Sequence, residues 1–345
     1  MLDIYQFLVT AEVVTAMEVD DHCGAALRGT LFEAVWTRFC TNKQAASCAE
    51  CRLHPVCPVS ALVSPLREVG DCKLRKELTQ DSPLVGDCKL REERSRWRDV
   101  PRPYIIYPPL GASRRYERGE TLQFGFSLFG SIIRYFPYLI LSLNLVEENG
   151  MGRKLAEHRG RRGRFKIKCI ESFNALTGER SIIYEQGKPY VTVSTLAITV
   201  ADVSARAALL SPEHMTLDFL TAARIIERDA PLSQAPFAAL TIRLLERLSA
   251  LEEAYGLPDE RWVAASKYQL VGQARTVTCI DDKRQWEEVR SYSFRQRRGM
   301  DISGFVGQAT FVGDLTPFRE LLVWGELVRV GKGAVKGNGW YKIAG

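Results

Sequence analysis

Residues 3–14 alternate apolar and polar side chains with the period of a half-buried strand. From Ala25 to Phe39 the period lengthens to that of a helix, with Leu27, Leu31, Val35 and Phe39 on one stripe. Thr121 to Phe129 predicts a further strand, Phe136 to Glu148 a helix, and Arg164 to Tyr190 a hairpin turning at Thr177-Gly178. Together these pieces make a βαββαβ unit of the ferredoxin-like kind. The order then repeats. Met215 to Ile226 reads as a strand and Pro236 to Tyr255 as a long helix carrying Leu240, Leu244, Leu248 and Leu251. Gln273 to Cys279 and Arg290 to Phe311 supply strands. Thr316-Pro317 then opens a helix in which Phe318, Leu321, Leu322, Gly325 and Val328 recur at helical spacing, and Trp340 to Ile343 predicts a last short strand. The expected fold is α+β: two tandem ferredoxin-like (RRM-like, βαββαβ) domains, residues 1–205 and 206–345, with a cysteine-rich insertion after the first helix.

Between that last helix and strand runs Gly331-Lys332-Gly333-Ala334-Val335-Lys336-Gly337-Asn338-Gly339, with four glycines and two lysines in nine positions. Glycine reaches positive φ without strain and lets successive backbone N–H groups converge on an anion. The pattern therefore predicts a phosphate contact through Gly331, Lys332, Gly333, Lys336, Gly337 and Gly339. A dinucleotide fingerprint or a Walker loop follows a strand and opens a helix. Here the helix comes first and neither spacing fits, which argues against a nucleotide cofactor.

Forty-seven Lys and Arg against 41 Asp and Glu leave a formal charge of +6, mildly basic and compatible with a polyanion partner. The distribution says more than the total: Arg153, Lys154, Arg159, Arg161, Arg162, Arg164, Lys166 and Lys168 crowd one stretch, and Arg295, Arg297 and Arg298 another. Met1 to Val14 alternate rather than form the apolar block of a signal peptide. Phe136 to Val146, the longest apolar run, is too short and interrupted to span a bilayer. A cytoplasmic protein with no membrane contact is expected, whose nine cysteines are not paired as disulfides.

Cys40, Cys48, Cys51 and Cys57 form C-x7-C-x2-C-x5-C. Four thiolates so spaced can close a tetrahedral zinc site or hold an iron–sulfur cluster, and the spacing fits no standard ferredoxin series, which favours structural zinc. His54 could replace one of them. Val69 to Arg75 recurs almost unchanged as Val85 to Arg91, so residues 66–100 read as a duplicated, flexible surface insertion whose Cys72 and Cys88 match through duplication rather than metal binding.

Met300-Asp301-Ile302-Ser303-Gly304-Phe305-Val306-Gly307, the continuation through Ala309-Thr310-Phe311 and Gly313 to Phe318, and the glycine loop together resemble the C-terminal signature of the RAMP superfamily. Within it they are similar to the CRISPR-associated endoribonuclease that matures precursor crRNA, Cas family six. Leu27-Arg28-Gly29-Thr30-Leu31-Phe32 is similar to that family's entry into its first helix. The resemblance implies cleavage of CRISPR repeat RNA without a metal: the ribose 2′-hydroxyl attacks the adjacent phosphate, leaving a 2′,3′-cyclic phosphate and a 5′-hydroxyl. It also implies crRNA and other Cas proteins as partners.

Such a step asks for a base, an acid and a cation, and histidine suits either proton transfer. His22, near the place where the family often carries its histidine, is the first candidate and His158 the second; His214 reads as a surface residue. Lys332 and Lys336, with Arg161, Arg162 and Arg164, are candidates for gripping RNA, and Tyr292, Phe294 and Trp340 for stacking on it. Two alternatives share these features. One is a RAMP subunit that holds crRNA without cutting it, the other a metal-binding regulator of nucleic acid.

Overall fold

The computed structural model describes residues 2–20, 22–68, 97–111, 114–188, 191–193, 196–257, 264–293 and 298–344. Its first half contains β1 (Ile4–Val13), β2 (Met17–Val19), α1 (Gly24–Phe39), α2 (Pro58–Val63), β3 (Tyr104–Tyr107), β4 (Thr121–Phe129), α3 (Phe136–Asn149), β5 (Met151–Leu155), β6 (Arg161–Gly163), β7 (Phe165–Phe173), β8 (Arg180–Glu185) and α4 (Val200–Ala208). β1 lies at the centre of an antiparallel sheet ordered β8-β7-β1-β4-β3. Without the edge strand β8, this is the ferredoxin-like order of fourth, first, third and second strands. Ile4, Phe7, Val9, Ala11 and Val13 of β1 are buried. The Phe7 ring stacks on Phe126 and Phe136 at 4.9 and 4.6 Å between centroids, tying the sheet to α3.

The second half contains β9 (His214–Ala223), α5 (Phe237–Tyr255), α6 (Ala264–Ala274), β10 (Thr278–Asp282), β11 (Gln285–Glu287), β12 (Arg290–Ser293), β13 (Arg298–Asp301), β14 (Gly304–Val312), α7 (Arg319–Val328) and β15 (Tyr341–Ala344). Its sheet runs β10-β14-β9-β15, with β11 also on β14, and is antiparallel throughout. The strand order is the same as in the first half, so both sheets are ferredoxin-like. Helix α4 carries a capping box between Thr199 and Asp202 and buries Val203 and Ala207. One expected element is corrected: Gln273 and Ala274 finish helix α6, which buries Val271 and Ala274, and the strand begins only at Thr278.

The two halves meet over α1, β3 and the glycine loop. A Cβ added at Gly24, the first residue of α1, would overlap the Lys336 carbonyl oxygen, and one at Gly337 would overlap Pro108 and crowd the Ile106 carbonyl oxygen. The Tyr255 hydroxyl, at the end of α5, donates to the Pro101 carbonyl oxygen. Gly29 lies in the same helix as Gly24 with nothing near its missing Cβ. Opposite outcomes are expected. Gly29→Ala stabilises by roughly 0.5–1 kcal/mol through the unfolded chain and helix propensity. Gly24→Ala destabilises by about 1–3 kcal/mol, because the overlap across the seam outweighs propensity. Urea-unfolding midpoints of the two variants check both signs.

Candidate nucleic-acid interface

β2 leads the chain from the first sheet to His22. The hairpin β5–β6 lies along it so closely that side chains at Gly152 and Gly163 would strike the backbone of Glu18 and of Ala16 and Met17. The His158 imidazole Nε2 lies 2.8 Å from the Ala16 carbonyl oxygen, which ties this histidine to the backbone. Arg153 reaches Asp20 at 2.7 Å, Lys166 reaches Glu147 at 2.6 Å, and Lys168 reaches Glu12 at 2.9 Å. Three cations of the basic stretch are thus neutralised. Among the described residues Arg161, Arg162 and Arg164 have no ion pair; Arg161 and Arg164 are exposed and Arg162 half-buried. The uncompensated charge lies beside the segment that carries His22.

At the seam, the His22 Nε2 stands 3.5 Å from Glu287 Oε1, at the end of β11 in the other half. About one turn along α1, the Arg28 Nε donates to the Tyr104 hydroxyl at 3.2 Å. Burial, with Arg28 nearby, pulls the Lys336 ammonium below its ordinary pKa. Neither Arg28 nor Lys336 has a carboxylate partner among the described residues. Two like charges held together in a partly dry seam repel, and an anion between them would relieve both.

The loop itself has positive φ at Gly331, Gly333, Gly337 and Gly339, from 67 to 93°. Its glycines are accounted for by protein contacts: Gly331 presses on the Arg224 carbonyl oxygen, Gly337 on Pro108 and Gly339 on the Val330 carbonyl oxygen. Lys332 is exposed, and its backbone N–H donates to Arg224 O at 3.0 Å. Lys332 is exposed and Lys336 half-buried on a backbone fixed by packing.

Two family models match this chain. AF_1859_N, described as an N-terminal domain, matches residues 2–196, and the model for CRISPR-associated endoribonuclease Cas6 matches residues 217–341. Residues 217–341 form a Cas6-type domain. A partial Cas6-RT-Cas1–Cas2 complex is 12% identical at a TM-score of 0.57, with 100% of this chain and 46% of that one covered. This chain therefore spans just under half the length of that relative. A Cas6 product complex is 12% identical at a TM-score of 0.53, with 99% of each chain covered, and Thermus thermophilus Cas6 is 11% identical at 0.50, with 100% and 99% covered. At these identities the likeness is one of fold. None of the curated proteins matches in sequence.

In the first half, outside the Cas6-type domain, the four cysteines of the 40–57 segment are half-buried thiols between α1 and α2. Burial pushes the Cys48 thiol up, and neighbouring Cys57, Cys40 and Cys51 add to the shift. The four therefore share one lobe, and soft sulfur donors in that number suit zinc. Among the described residues, however, no group of three or more His, Cys, Asp or Glu side chains is arranged to hold a metal ion, so the expected coordination shell is not formed. His54 is buried, which lowers its pKa. The ends of the duplicated segment are drawn together by pairing of Leu66–Glu68 with Trp97–Asp99; Cys72 and Cys88 lie outside the described residues.

Trp340 has one face covered by the Arg329 guanidinium at 4.0 Å and an edge against Tyr107 at 5.5 Å, so it serves the seam. Phe294, Arg295 and Arg297 lie outside the described residues, Tyr292 falls on β12, and His214 is exposed at the start of β9. No described helix is long and apolar enough to cross a membrane. The sequence reading passes over Glu287, Arg28 and Tyr104. Arg28 stands within the quoted Leu27-Arg28-Gly29 stretch and was open to notice there. Glu287 carries no local signal.

Proposed function

We propose that this chain binds CRISPR repeat RNA and cuts it once by attack of a ribose 2′-hydroxyl on the adjacent phosphate, giving 2′,3′-cyclic phosphate and 5′-hydroxyl ends. The observation that carries the reading is the convergence on one seam of His22, two residues before the Gly24 that abuts the Lys336 carbonyl oxygen, and of the uncompensated cations Arg28 and Lys336. His22 takes the 2′-OH proton as the 2′-oxygen–phosphorus bond forms. Lys336, holding its proton less tightly through burial, protonates the 5′-oxygen as its bond to phosphorus breaks. Arg28 faces the charge that grows on the phosphate oxygens. No metal takes part in the step as written.

Arg161, Arg162 and Arg164 contact phosphates along the RNA and set its register, while Lys332 adds charge at the mouth of the seam. The mature RNA passes to an assembly with other Cas proteins, as the Cas6-RT-Cas1–Cas2 neighbour suggests. We place this work in the cytoplasm. The lobe of Cys40, Cys48, Cys51 and Cys57 binds zinc in a structural role, gathering its sulfurs on the ion.

Cleavage of repeat RNA in excess EDTA is the direct test. The wild type cuts, a single 2′-deoxy sugar at the cut site abolishes the product, and His22→Ala lowers the single-turnover rate by about 10²–10⁴-fold with affinity retained. Tight binding without cleavage by the wild type would instead mark a subunit that only holds crRNA. Replacing Arg161, Arg162 and Arg164 together by Ala should weaken binding to all RNA sequences alike. It should also flatten the slope of log affinity against log salt by about 2–3 units, read by filter binding across a salt series. Metal analysis of the purified protein should find about one zinc per chain. That zinc is lost in Cys48→Ser, with a lower melting temperature; a metal-free wild type of equal stability would overturn the assignment.

A further inference from the structure

We propose that Glu287 is a positioning residue for His22, supplied across the domain seam so that the histidine is held for proton transfer only when the two halves are docked. The inference rests on the cleavage reading and adds a residue to it. Glu287 sits on a strand held by its ladder and by the residue that follows it. Gln285, Trp286 and Glu287 pair with Val306, Phe305 and Gly304 of β14. Just beyond, buried Val289 donates its N–H to Ser303 Oγ at 2.9 Å and accepts from the Ile302 N–H at 2.9 Å.

The carboxylate at the end of this strand reaches His22 Nε2 at 3.5 Å, with side chains only 23% and 36% exposed. The Glu287 carboxylate has no other ion pair or hydrogen bond among the described residues, and Asp20, two residues before His22, is paired with Arg153 at 2.7 Å. A carboxylate beside an imidazole limits rotation of the ring and stabilises the imidazolium formed when the base takes a proton. A separation of this size tightens to a hydrogen bond when substrate fills a site. Because α1 and β11 belong to different domains, the contact exists only while Gly24 and Lys336 keep their close approach.

The experiment measures single-turnover cleavage and RNA affinity for the wild type, Glu287→Gln, Glu287→Asp, His22→Ala and the His22→Ala/Glu287→Gln double variant. Glu287→Gln should slow cleavage ten-fold or more with affinity unchanged, Glu287→Asp should recover part of the rate, and Glu287→Gln should cost nothing further once His22 is Ala. Wild-type cleavage by Glu287→Gln, or the same slowing in the His22→Ala background, overturns the inference and leaves the cleavage reading standing. Wild-type cleavage by His22→Ala overturns the catalytic assignment and this inference with it. A readout independent of cleavage is the long-range ¹H–¹⁵N NMR spectrum of the His22 ring. Its Nε2 resonance should move in Glu287→Gln, and an unmoved resonance overturns the contact whether or not the protein cuts RNA.

Discussion

Arg329 is the point on which the two halves turn. Its side chain is 1% exposed, with the guanidinium 4.0 Å from the Trp340 ring and 4.6 Å from the Tyr107 ring, one from each half. Burying an isolated cation costs several kcal/mol, and two desolvated aromatic faces offset that by roughly 2 kcal/mol each. A hydrogen bond from Nη1 to the Glu326 carbonyl oxygen at 2.5 Å adds to the balance. Burial lowers its pKa to about 10, which leaves it charged near neutrality. The backbone is strained as well: φ 66° and ψ 166° belong to a region used almost only by glycine, at a cost of roughly 1–3 kcal/mol. That strain sets the angle at which the chain leaves α7 and enters the glycine loop.

The loop follows from that exit. Gly331 and Gly339 let it fold back against the Arg224 and Val330 carbonyl oxygens, and Gly337 lets it lie on Pro108. Lys336 is thereby carried to the first turns of α1 and Arg28. Glycine at 331 and 339 is required by packing within the second half and at 337 by docking against the first, and the proposed phosphate site lies in the seam that this docking leaves. The sequence argument reads these glycines as a backbone approach to phosphate, whereas the group approached at Gly331, Gly337 and Gly339 is protein.

Legibility follows the range of the signal. β4 is found at Thr121–Phe129, as periodicity predicts, and α1, α3 and α5 come within a residue or two, because each has a face of its own to bury. β3 gives no signal, since all four of its residues are buried and a strand without alternation has no period to detect. Around Gln273, apolar spacing without helix boundaries cannot separate the end of α6 from the start of β10. His22 and Lys336 can be picked out individually by residue type and resemblance, but their meeting with Glu287 depends on how two domains dock. No local pattern encodes that, and a three-residue strand carries too little pattern to mark its last carboxylate.

A formal charge of +6 understates the field at this surface, because the acids are spent unevenly. Arg115 alone engages Glu117, Glu157 and Glu18, at 2.6, 2.9 and 3.4 Å, while Arg153, Lys166 and Lys168 each take one carboxylate. These pairs hold the hairpin β5–β6 and its surroundings in place and leave Arg161, Arg162 and Arg164, with Lys154 and Arg159, as the uncompensated cations of that stretch among the described residues. Exposed and partly exposed, those arginines act through a screened field that salt weakens. Arg28 and Lys336 stand in a partly dry seam where screening is poor, so in the proposed reaction the same sign of charge would act there at short range on one phosphate. The separation is physical before it is functional: an exposed strip is suited to affinity and register, and a partly buried seam to stabilising a proton transfer and a developing charge.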